Sequence, residues 1–193
     1  MKKTLFPLYL LLTFLTPSAM YADEGMWTLY NLPDAVYGQM RAEGFALPKS
    51  SLYEDSLALK NSVVSFCGYC TGAVVSPMGL VLTNHHCGFE AIRSHSTVEH
   101  DYMLNGFCAD SLGAELPNEG TFVSFMRSQR DVTPLMGSLG VDTLDSYGRA
   151  MLVDSIQTLL TAEARAGDST LYVIIDAFYE GNAYYATTYQ RYE

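Results

Sequence analysis

The stretch SVVSFCGYCTGAVVSPMGLVLTNHHC, residues 62–87, decides the reading of the fold. It holds two runs rich in β-branched and aromatic residues, Val63–Phe66 and 72–76, and a third at 80–83. SPMG at 76–79 reads as a turn, because Pro77 presets φ at its second position. Residues 73–75 and 80–83 should therefore pair as a β-hairpin. The third run leads straight into His85, His86 and Cys87, and a helix-like segment, GFEAI, follows. The end of a core strand is a rigid mount. A histidine placed there suits proton transfer, which needs a fixed position and a ring that titrates near neutral pH.

On the N-terminal side, LPDAVYGQMRAEGF at 32–45 predicts a short helix, with Pro33 in its first turn and Gly44 ending it. SLYEDSLALKNSVV at 51–64 reads as a helix-to-strand transition. On the C-terminal side, 88–107 reads as a short helix and a loop, and a strand is expected near 122–126. Residues 142–167 form the clearest helix pattern: Leu152, Ile156, Leu159 and Leu160 share one face, and Gly167 is a plausible stop. Leu171–Phe178 and Ala183–Tyr192 read as two strands joined at EGN, a hairpin signal. No internal repeat or low-complexity tract interrupts the chain. It ends inside an aromatic strand, with no turn or polar tail, which leads us to expect a fragment of a longer protein.

The 193 residues suffice for one compact domain or a small two-barrel arrangement. Residues 1–22, MKKTLFPLYLLLTFLTPSAMYA, follow the plan of a secretory signal peptide: two lysines, an apolar run from 5 to 15, then small residues. That run is too short to span a bilayer comfortably. Cleavage is expected after Ala22, with Ala19 as the alternative, leaving residues 23–193 as the mature part. Losing Lys2 and Lys3 and no acid takes the net charge from −10 to −12. So acidic an exported domain is a poor partner for nucleic acid or an anionic membrane. The expected location is the periplasm or the cell surface.

All four cysteines, Cys67, Cys70, Cys87 and Cys108, lie in the mature part. An even count in an exported chain favours disulfides. Two other readings compete. CGYC at 67–70 resembles a redox motif, but that chemistry needs the cysteines at a helix N-terminus, and here a strand follows. Cys67, Cys70, Cys87 and either His85 or His86 are enough ligands for zinc, a reading that export opposes.

In chymotrypsin-like proteases the base lies in the pattern TAAHC, where a hairpin strand runs into a helical turn. Here LTNHHC, residues 82–87, is similar. By that resemblance His86 is the general base, and His85 a packing residue or one that supports the base from behind. The cysteine after the base pairs back to the previous strand in those proteases, which implies a Cys70–Cys87 bridge. Such a bridge closes a loop of about 18 residues and contributes roughly 3 kcal/mol. Over the wider chain, DEGMW at 23–27, CTGAVVSPMGLVLTNHHC at 70–87, ELPNEGTFV at 115–123 and FYEGNAYY at 178–185 resemble bacterial exported dipeptidyl-peptidases of the type 7 and type 11 kinds.

The resemblance implies a mostly β fold with helical insertions: the N-terminal part of a chymotrypsin-like double β-barrel peptidase domain, incomplete here, with a helical domain over the active site. It implies serine-type release of dipeptides from peptides with a free N-terminus, and a homodimer. No metal or organic cofactor is implied. Cys67 and Cys108 depart from the family pattern and are read as a second bridge. The family's aspartate, its amine-binding Asn-Trp pair and its serine are expected beyond residue 193, so the chain alone should be silent.

Two decoys offer a complete triad within the chain. GDS at 167–169 resembles half of a protease nucleophile motif, but Thr170 replaces the next glycine, so Ser169 lacks the oxyanion-hole backbone. Asp131 lies at a familiar spacing after His86, yet RDVTP reads as a turn. His95 and His100 fall in a polar stretch and read as solvated. Trp27 reads as a core anchor, and the tyrosines of 179–192 as cross-strand pairs of a sheet. The alternative from another class is a non-catalytic secreted binding module.

Overall fold

The computed structural model describes residues 27–193. The expected leader at 1–22, and DEGMW apart from Trp27, lie outside them. One antiparallel sheet dominates, formed by β1 (Val63–Phe66), β2 (Cys70–Val74), β3 (Val81–Thr83), β4 (Val123–Asp131), β5 (Leu171–Phe178) and β6 (Ala183–Tyr192) in the order β3-β2-β1-β4-β6-β5. Six α-helices accompany it: α1 (Asp34–Ala42), α2 (Ser50–Tyr53), α3 (His85–His95), α4 (Tyr102–Asn105), α5 (Thr133–Ser138) and α6 (Ser146–Arg165). The sheet is open, with β3 and β5 at its two edges.

The hairpin expected at 73–83 forms, with Ala73 opposite Leu82 and Val74 opposite Val81. Its turn is built by Ser76, whose Oγ accepts from the N–H groups of Met78 (3.3 Å) and Leu80 (3.0 Å), and by Gly79 at φ +87°. Gly72 lets the three strands close up. A Cβ there would lie 2.8 Å from Val81 Cγ1 and 3.2 Å from Val64 Cγ2, so any larger residue would wedge β3 away from β2. The β1–β2 turn places Cys67 and Gly68 at φ +53° and +78°, the positive-φ pair that a tight hairpin turn demands.

The main core lies between the sheet and α5–α6. Val132, Met136, Val141, Val173, Ile175, Tyr184 and Ala186 are buried, with Leu152, Val153, Ile156, Leu160 and Ala164 packed on them. Leu159 corrects the sequence reading of this helix: it is 64% exposed. At 100° per residue the stripe centred on Leu152, Ile156 and Leu160 takes in Val153 and Ala164 and leaves Leu159 at its margin. Trp27, expected as a core anchor, is 40% exposed.

β5 would be a long unpaired edge, but α6 covers it with polar side chains. The Thr161 hydroxyl accepts from Val173 N–H (3.0 Å) and lies 3.3 Å from the Val173 carbonyl, to which it donates. Gln157 Oε1 accepts from Ile175 N–H (2.9 Å), and Arg165 Nε donates to the Leu171 carbonyl (3.1 Å). Residues four apart on the helix thus serve residues two apart on the strand, replacing the missing ladder. Thr161→Val keeps the volume and strands the buried Val173 peptide groups. We expect a loss of about 1–3 kcal/mol in urea unfolding, restored by Thr161→Ser. Equal stability of the valine variant would refute this role.

Candidate active site

His86 is the second residue of α3, directly after strand β3 and its cap, Asn84. Its side chain is exposed and makes no hydrogen bond among the described residues. Its surroundings are tied at both sides. Three residues before it, the Thr83 hydroxyl donates to the Thr71 carbonyl, 2.9 Å. One residue after it, Cys87 is buried and joined to Cys70 on β2 by a disulfide, with 6.2 Å between the Cα atoms. The Tyr69 hydroxyl donates to the Cys87 carbonyl, 3.1 Å. The adjacent His85 meets the Phe89 ring edge-on at 5.9 Å. Two neighbouring histidines therefore differ in setting: His85 lies against its own helix, and His86 is free to engage another group.

The expected second bridge is not made. Cys67 sits half-buried in the β1–β2 turn and Cys108 lies exposed after α4, and both are free thiols. Turn and loop belong to separate parts of the chain, and a bridge needs Cα atoms within roughly 4.4–6.8 Å. Cys70, His86 and Cys87 bring their ligand atoms within 4.8 Å of one another, the one group of three such residues among the described residues. With both sulfurs tied in a disulfide neither is a thiolate, so the set does not fit zinc. CGYC straddles a strand–turn–strand, not a helix N-terminus.

The decoys have structural roles. Asp131 ends β4 and its Oδ1 accepts from Thr133 N–H, 2.8 Å, at the start of α5. Ser169 lies exposed between α6 and β5. Asp168 accepts from the Thr170 hydroxyl (2.6 Å) and N–H (2.9 Å), which hold its carboxyl below the usual range, and from Gln190 Nε2 (3.0 Å). GDST is thus the fastening between helix and strand. His95 is the last residue of α3, not loop, with Nε2 3.2 Å from Asn118 Oδ1, and His100 stacks on Tyr102. Tyr172 and Tyr189 stack across β5 and β6 at 5.5 Å.

Sequence reasoning missed a cleft of about 390 Å³ beside this mount, lined by Cys70, Thr71, Tyr30, Tyr53, Lys60 and Gln129 among others. Lys60 Nζ lies 5.1 Å from the Tyr53 ring centre and donates to Asn61 Oδ1. Burial, and next the neighbouring Arg127, push its pKa down. Burial likewise pushes the Tyr53 phenol up, and its oxygen accepts from Gln129 N–H at 2.8 Å. These residues come from widely separated segments, and no local pattern links them.

The antiparallel sheet thus holds His86, whose side chain has no hydrogen-bond partner among the described residues, at a strand-to-helix step. The Peptidase S46 family matches residues 22–193, and the chain belongs to that family. It is 39% identical over 169 residues to dipeptidyl-peptidase 7 of Porphyromonas gingivalis, covering 87% of this chain and 24% of the relative. It is 38% identical over 197 residues to an Asp/Glu-specific dipeptidyl-peptidase of the same organism, covering 99% and 27%. A crystal structure of Porphyromonas endodontalis DPP11 with the dipeptide Arg-Glu superposes with a TM-score of 0.74 at 32% identity, over 88% of this chain and 26% of that one. The chain spans about a quarter of the length of these relatives.

Proposed function

We propose that the chain is the histidine-bearing portion of an exported serine-type dipeptidyl-peptidase, with His86 as general base. The observation that carries this is the mount of His86, held on both sides while its ring is left open. In the whole enzyme His86 takes the proton from a serine hydroxyl as it attacks the peptide carbonyl, then gives it to the leaving amine. An aspartate orients its other ring nitrogen. Serine and aspartate come from the longer protein, as does the rest of a double β-barrel. Strand β3 lies at the sheet edge with Leu82 exposed on it and Leu80 exposed just before it, which supports further strands packing there. The leader at 1–22 supports export to the periplasm or cell surface, where Cys70–Cys87 persists. Peptides with a free N-terminus are the substrates, and the enzyme works as a homodimer.

The test uses the full-length secreted product. It should release dipeptides stepwise from a free peptide and none from its N-acetylated copy. Internal cleavage, release of single residues, or no cleavage would each overturn the assignment, the last in favour of a binding module.

A further inference from the structure

We propose that the Tyr69 hydroxyl is a positioning group for His86. This rests on the reading of His86 as general base. Three consecutive residues, Tyr69 in the β1–β2 turn and Cys70 and Thr71 opening β2, hold the segment that carries the histidine. The Thr71 carbonyl receives the Thr83 hydroxyl, Cys70 carries the disulfide, and the Tyr69 hydroxyl binds the Cys87 carbonyl at 3.1 Å. Cys87 is therefore attached twice, through its sulfur and through its carbonyl oxygen. A disulfide alone leaves rotation about its own bonds. The second attachment, on a different atom of the same residue, fixes the direction of the Cys87–Gly88 peptide plane, one residue beyond His86, and with it the first turn of α3. Among the described residues His86 has no hydrogen bond of its own to hold its ring, so its aim depends on that turn.

Tyr69 is 69% exposed, so hydrophobic burial does not account for a tyrosine here. The phenol bridges the β1–β2 turn to a helix 18 positions along the chain. The bonded carbonyl belongs to the buried Cys87 but lies inside α3, whose own backbone ladder serves it as well, so losing one hydroxyl partner has little effect on folding. Catalysis is more sensitive, because a general base misplaced by about 1 Å loses up to 100-fold in rate.

The experiment is Tyr69→Phe in the full-length secreted protein, read in two ways. The first is peptidase kinetics with a free-N-terminus peptide, beside the melting temperature. We expect kcat to fall about tenfold with KM and melting temperature unchanged. The second is the ring carbon resonance of His86 in the substrate-free protein, assigned by its loss in His86→Gln. It should be single in the native protein and broadened or split in Tyr69→Phe, with the His85 resonance unaltered because Phe89 holds that ring. An unchanged His86 resonance, a change confined to KM, or a lower melting temperature with kcat intact would overturn the role. If His86→Gln keeps full activity, the assignment of the base falls, and the resonance still decides whether Tyr69 orders His86.

Discussion

Replacing His86 by alanine in the full-length protein should remove the proposed dipeptide release, with kcat lower by about 10⁶-fold, as when a triad histidine is deleted from a serine protease. The fold survives. The His86 side chain is exposed and makes no hydrogen bond among the described residues, so its loss should shift stability by no more than about 0.5 kcal/mol. His85→Ala is the control: it removes only the edge contact with Phe89 at 5.9 Å and should leave most of the activity. The measurement is peptidase rate per folded molecule, with folding checked by circular dichroism. A His86→Ala protein retaining a tenth of the activity, or a His85→Ala protein losing nearly all of it, would sink the assignment of the base.

Cutting the Cys70–Cys87 bridge should give the largest effect on stability. The two cysteines are 17 residues apart, and cross-linking a loop of that size contributes about 3 kcal/mol by restricting the unfolded chain. A Cys70→Ala, Cys87→Ala double variant leaves no stray thiol at these positions. It frees α3 from β2, and amide exchange in His85–His95 should quicken by about 100-fold, the factor that corresponds to 3 kcal/mol. Peptidase activity should fall with it, since the base is no longer aimed. Reductant applied to the native protein should reproduce both changes. Exchange in α3 that is indifferent to the double substitution and to reductant would show that the bridge does not clamp this helix.

Several elements are plain in the sequence because their signals are local. Val63–Phe66, Leu171–Phe178 and Ala183–Tyr192 form strands at the boundaries their β-branched and aromatic runs suggest. The hairpin turn at Ser76–Gly79 follows from proline, glycine and a serine that caps two amides. The long helix follows from its apolar period, although that period does not exclude Leu159. β2 begins at Cys70, two residues before its apolar run, because backbone pairing with β1 continues past the side chains that signal a strand.

The sequence by itself indicated most of the strands and the long helix, and its resemblance to a peptidase family pointed to His86 and Cys87 as the candidate site; it did not show that β4 runs on to Asp131 or that a helix starts at Thr133. Tertiary structure alone decided the order in which strands lie, with β4 between β1 and β6. It decided that Cys67 and Cys108 stay apart, that Thr161, Gln157 and Arg165 seal the edge of β5, and that Tyr69 reaches the carbonyl beside the histidine. The physical reason is range. Propensity, turn chemistry and periodicity act between residues a few positions apart, whereas a hydrogen bond across 18 residues or a cleft built from widely separated segments exists only once the chain has packed.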